Sequence, residues 1–143
     1  MKDEQVINEL KRIASENRGI LLPEAVVQAA KPRTSPLHDY FEWDDSEAAK
    51  QWRIHTARKL INVCVELIGP KEDEREMRVF VSLRSDRDEG GYRLLDLVIS
   101  TRNLRDQLLE DALEEMKYFR EKYRDLQELA EVFEAMDNVL VHK

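Results

Sequence analysis

The sequence predicts an α+β fold: N-terminal helices, a small antiparallel sheet of about three strands, and a long C-terminal helix. Three observations carry that expectation. Apolar residues recur at helical spacing through 1–62, with one proline-rich interruption. Runs of β-branched residues, bounded by glycine and proline, occupy 63–100. A stripe of apolar residues with a heptad rhythm runs through 101–137. No Gly/Ser linker separates the zones, so 1–143 reads as a single domain in three parts.

The first helix is expected over 3–16. Val6, Ile7, Leu10, Ile13 and Ala14 fall on one face, and Asn17-Arg18-Gly19 supplies a stop with a glycine free to take positive φ. Pro23, well placed in a first turn, opens a second helix through Ala25, Val26, Val27, Ala29 and Ala30. Lys31-Pro32 ends it, because the residue before proline is pushed out of the α region. The next segment is rich in aromatics, and Tyr40, Phe41 and Trp43 are expected to tie it to the core. Acids at 44, 45 and 47 around Ser46 read as a capped start of a third helix, 46–61, with Ala49, Trp52, Ala57, Leu60 and Ile61 as its apolar side.

Val63 to Ile68 reads as a strand stopped by Gly69-Pro70. Met77 to Arg84 reads as a second, Asp86 to Gly91 as a hairpin turn, and Tyr92 to Leu94 as a return strand, with a short helical turn over 95–99. In the C-terminal helix Leu109, Ala112, Met116, Phe119, Tyr123, Leu126, Ala130 and Phe133 alternate spacings of three and four. At ~1.5 Å per residue a 35-residue helix would be ~50 Å long, much longer than a small sheet can cover. Part of the stripe therefore needs another cover, either the N-terminal helices or the same helix of a second chain. A homodimer is the expectation, with Leu109, Met116, Phe119, Tyr123, Leu126 and Phe133 as its interface; burial within one chain is the competing use of the same residues.

Composition narrows the function. The chain is 42% hydrophobic, enough for a core, and 37% charged, well above the usual quarter. Thirty acids against 23 bases give a net charge of −7, which excludes a generally basic nucleic-acid coat but not a local basic patch. The N-terminal zone is neutral, with the acid excess concentrated in the C-terminal helix. No apolar run approaches a membrane span, and the opening MKDEQVINELKR has no apolar signal core, so no membrane partner is expected. The single cysteine, Cys64, cannot form an intramolecular disulfide and points to a reducing compartment.

Phrases along the chain carry a resemblance. Leu22-Pro23-Glu24-Ala25-Val26-Val27, then Ser35-Pro36-Leu37-His38, then Phe41-Glu42-Trp43-Asp44-Asp45, then Ala57-Arg58-Lys59-Leu60-Ile61 form a distinctive series. It continues in Val79-Phe80-Val81-Ser82-Leu83, Gly91-Tyr92-Arg93 and Phe119-Arg120-Glu121-Lys122-Tyr123. The series resembles an uncharacterised family of small temperate-phage and prophage proteins, and the likeness covers nearly the whole chain. It implies a phage or prophage origin and a bacterial cytoplasmic setting. It assigns no activity and no catalytic residue.

The residues themselves offer little chemistry. His38, His55 and His142 are far apart, and no paired His or Cys spacing of a metal site occurs. No nucleophile motif or phosphate-binding glycine loop is present. Catalytic residues, metal ligands and cofactors are therefore all expected to be none. The expected role is contact with a macromolecule. The leading version is DNA binding through helix 46–61, using Lys50, Arg53 and Arg58, with Lys31 and Arg33 adding phosphate contacts. The connection between helices 23–30 and 46–61 is longer than that of a regular helix-turn-helix. The alternative is a protein–protein adaptor or inhibitor acting on a host or phage protein through the aromatic loop or the acidic C-terminal helix.

Overall fold

A computed structural model describes residues 2–142, which fall into two units, Met1–Thr101 and Arg102–Lys143. In the first unit, helix α1 (Glu4–Glu16) is capped by Asp3, whose carboxylate accepts from the backbone N–H groups of Gln5 and Val6. Its buried face is the predicted one: Val6, Ile7, Leu10, Ile13 and Ala14. The stop uses two left-handed residues, Arg18 at φ 56° and Gly19 at φ 81°, and the Gly19 N–H returns to the Ala14 carbonyl at 2.8 Å. Helix α2 (Pro23–Ala30) begins at proline as expected, and α3 (Glu47–Val63) is capped by the Ser46 hydroxyl on the Ala49 N–H. Between α1 and α2 lies a strand that the sequence reading missed, β1 (Ile20–Leu21). Two residues are too short to show a period-two pattern.

The β zone forms two small sheets. Strand β2 (Val65–Ile68) pairs antiparallel with β3 (Arg75–Arg78), in register Val65 to Arg78 and Ile68 to Arg75. The expected strand start at Val63-Cys64 instead completes and caps α3. The predicted run from Met77 to Arg84 divides: its first residues belong to β3, and β4 (Phe80–Val81) enters the other sheet. Val79 sits at the division. Its N–H donates to the Cys64 carbonyl, and its own carbonyl accepts from Leu95. The second sheet is β1–β5–β4, where β5 is Tyr92–Leu94 and all pairings are antiparallel. The expected turn before β5 is a 3₁₀ segment, Arg84–Glu89, ended by Gly90 at φ 72°. The Asp86 carboxylate grips the Arg93 guanidinium through two bonds of 2.6 and 3.0 Å, tying this segment to β5. Gly91 is a close approach: a Cβ there would lie 2.8 Å from the Ile20 side chain. Helix α4 (Leu95–Ser100) extends the predicted helical turn.

The core of this unit collects Val6, Leu10, Leu21, Val26, Leu37 and Ile61, all essentially inaccessible to solvent. Helices α1, α3 and α4 pack on strands of the three-stranded sheet, which could not stand alone. Phe41 joins this core and Trp43 packs against it, as expected, whereas Tyr40 remains exposed with its hydroxyl directed at Asp3.

The second unit departs from a single helix over 101–137. Helix α5 (Arg102–Tyr123) is long, but the chain turns at 124–129 and a separate helix α6 (Ala130–Val141) follows. Phe133 meets Phe119 edge-on at 6.4 Å, and Arg120 pairs with Asp137 at 2.6 Å. In a continuous helix Arg120 and Asp137 would be ~25 Å apart. The turn contains neither Gly nor Pro, and the apolar spacing passes through it unchanged at Leu126 and Ala130, so the sequence carries no stop signal there.

Cys64 is buried, its thiol donating to the Leu60 carbonyl, and burial pushes its pKa up to about 11. A thiol held above its ordinary value favours the folded state below that value and loses this contribution as pH rises through the folded pKa. Stability is therefore expected to fall as pH is raised from 9 toward 11, and Cys64→Ala should flatten that slope. Native Cys64 should also react with a thiol reagent at pH 8 about 100-fold more slowly than the denatured chain.

Candidate interaction surface

Helix α3 decides which side chains are presented. Its buried residues are Ala49, Arg53, Ala57, Leu60 and Ile61. At about 100° per residue, Arg53 lies close to the centre of that face, and Trp52 about 110° away from it. The expected apolar side therefore loses Trp52 and gains Arg53. The physical reason is the loop before the helix. Arg53 Nη1 donates to the backbone carbonyls of Glu42 at 2.9 Å and Asp44 at 2.7 Å, and its guanidinium lies over the Trp43 ring at 5.5 Å. Trp43 in turn stacks on His38 at 5.1 Å and donates to the His38 carbonyl. Arg53 is only 9% exposed. Its Nη1 donors are used on backbone carbonyls inside the protein.

The other predicted basic residues remain at the surface. Lys31 and Arg33 are exposed in the segment after α2. Lys50 is exposed and lies 3.4 Å from the Glu47 carboxylate, while Arg58 is exposed near Gly90. Without Arg53 they no longer form one patch on α3, since Lys50 and Arg58 are separated by about 80° of helix rotation. What the solvent face of α3 does carry is Trp52, 58% exposed, with His55 against it at 5.1 Å and Lys59 two turns on. Sequence reasoning placed Trp52 by its apolar character. The helical phase relative to Leu60 and Ile61 was the signal that could have placed it outward.

The expected interface residues of the C-terminal segment also separate. Phe133 is buried within the chain, Met116 and Tyr123 are half-buried, and Leu109, Phe119 and Leu126 remain exposed. Tyr123 packs on Phe119 at 4.9 Å. The stripe is thus used partly inside one chain, and its straight continuation through Leu126 to Phe133 is replaced by the turn.

For chemistry, the histidine nearest the acidic loop is already engaged: His38 Nδ1 lies 2.9 Å from the Ala30 carbonyl. Among the described residues no three His, Cys, Asp or Glu side chains gather as a metal site would require. No described helix is long and apolar enough to cross a membrane. Comparison with protein-family models, curated proteins and solved structures finds no match.

Arg53 is expected to act in stability. Arg53→Ala should lower unfolding free energy by about 1.5–3 kcal/mol by leaving two carbonyls without their charged donor. Arg53→Lys should recover only part of this, since an ammonium cannot both reach the carbonyls and lie flat on Trp43. Chemical denaturation of the three proteins measures both effects.

Proposed function

We propose that this chain is a non-catalytic adaptor that binds another protein through the solvent face of α3, in the phage or prophage setting its sequence resembles. The observation that carries the reading is the exposure of Trp52. A tryptophan left in water keeps a large apolar surface available, and tryptophan is among the residues enriched as interface anchors. His55 stiffens its position, and Lys59 supplies a charged rim. The loss of Arg53 from the surface and the net charge of −7 favour this reading over a phosphate-tracking one.

A second reading has its own support: an exposed aromatic ring with Lys59 on the same helix face is also a stacking platform for single-stranded nucleic acid. In that version Lys31, Arg33, Lys50, Lys59 and Arg58 supply the charge. Salt separates the two. Phosphate contacts weaken steeply with salt, whereas a tryptophan-anchored protein interface does not.

The test compares wild type with Trp52→Ala, whose thermal unfolding should be unchanged because the side chain is exposed. Affinity capture from bacterial lysate should retain a protein at near-physiological salt that Trp52→Ala loses, with about 2 kcal/mol or more of the affinity residing in this residue. Fluorescence anisotropy with labelled DNA forms the other arm. Salt-sensitive DNA binding weakened by Lys50→Glu and Arg58→Glu would move the function to nucleic acid. Capture that is indifferent to Trp52 would remove α3 as the contact surface.

A further inference from the structure

A cleft in the first unit is lined by side chains that the core does not use. One wall is a face of the β2–β3 ribbon. Ile68 lies opposite Arg75 and Glu66 opposite Met77, so the four share that face, and all four line the cleft. The other wall is Leu94 with the outer side of α4. Val98 points α4 into the core and is fully buried. Asp96 and Ser100 lie about 160° around the helix from it, and Leu97 and Ile99 about 100° to either side. These four line the cleft, and the two apolar ones stay 44% and 39% exposed. Val79 joins the walls: its N–H donates to Cys64, just before β2, and its carbonyl accepts from Leu95, the first residue of α4.

The cleft holds about 620 Å³, the size of a small-molecule site. Its charges are of two kinds. Lys11 and Glu66 neutralise each other. Arg75 and Asp96 stand on opposite walls, exposed, and neither side chain makes an ion pair or a hydrogen bond within the described residues. The uncommitted charges are therefore one cation and one anion, apart from each other, with apolar side chains lining the space around them. A ligand carrying a single charge would leave one of the two facing apolar atoms. A ligand carrying both satisfies both. We propose that this cleft binds a small zwitterion with an apolar body, its carboxylate on Arg75 and its ammonium on Asp96. The volume suits a short apolar peptide with free termini better than a single amino acid. The Ser100 hydroxyl, which donates to the Leu97 carbonyl at 3.1 Å, can still accept from a peptide N–H.

The full chain is titrated by calorimetry with trileucine, and saturable binding is expected, with free leucine binding more weakly. Acetylating the amine or amidating the carboxylate of trileucine should each weaken binding about three- to tenfold. Arg75→Gln should erase the preference for the free carboxylate, and Asp96→Asn the preference for the free ammonium. Both side chains are exposed, so thermal unfolding of the two variants should match wild type. No saturable binding of trileucine at millimolar concentration overturns the proposal. So does equal binding of trileucine blocked at both ends, or binding that both charge variants leave unchanged. Leucine binding as tightly as trileucine overturns the peptide as the ligand.

Discussion

The guanidinium of Arg53 is the contact on which the arrangement of the N-terminal unit turns. A positive charge removed from water is costly unless its donors are used. Here two backbone carbonyls of the 42–44 segment take those donors, and the Trp43 ring lies against the cation. The loop between α2 and α3 is thereby fixed to the inner face of α3. Trp43 then holds His38, and His38 reaches the end of α2 at Ala30. One side chain links both ends of the connection. Its inward commitment also sets the rotation of α3, and the rotation delivers Trp52 to water.

The two units use apolar residues differently. In the N-terminal unit nearly every predicted helix position is buried, and the strands of the β1–β5–β4 sheet are packed against α1, α3 and α4. In the C-terminal hairpin, apolar residues outnumber what the turn between α5 and α6 can cover. A ring contact and an ion pair, Phe119 with Phe133 and Arg120 with Asp137, hold the two helices together. Met116 and Tyr123 are half-buried, and Leu109, Ala112, Leu126 and Ala130 remain at the surface.

Much of this was legible before the structure. The boundaries of α1 and α2 follow from Asp3, Gly19, Pro23 and Pro32, because caps and breakers act locally. The helix-plus-small-sheet class follows from periodicity. Three things were not legible, each for a physical reason. Ile20–Leu21 is a strand only because β5 lies beside it. The turn at 124–129 exists because Phe133 and Asp137 find partners on α5, a nonlocal gain that leaves no local mark. Arg53 reads as a surface cation by type, and only the position of the Glu42 and Asp44 carbonyls makes it an interior one. Of the basic residues first assigned to a DNA surface, Lys31, Arg33, Lys50 and Arg58 do lie at the surface, but the residue at the centre of the group does not.

The β2–β3 ribbon bears on behaviour in a crowded solution. It pairs only with itself, so its outer backbone groups are available to any passing chain. Leu67 is exposed on it and would favour such an encounter. The neighbouring positions are Glu66, Arg75, Glu76 and Arg78, and an incoming strand would have to strip water from those charges. Lys11 already holds Glu66, and Lys2 holds Glu76. The ribbon's charges therefore act as gatekeepers against aggregation. At 75, 76 and 78 the side chains are exposed, so charge there places little demand on the packing of the fold.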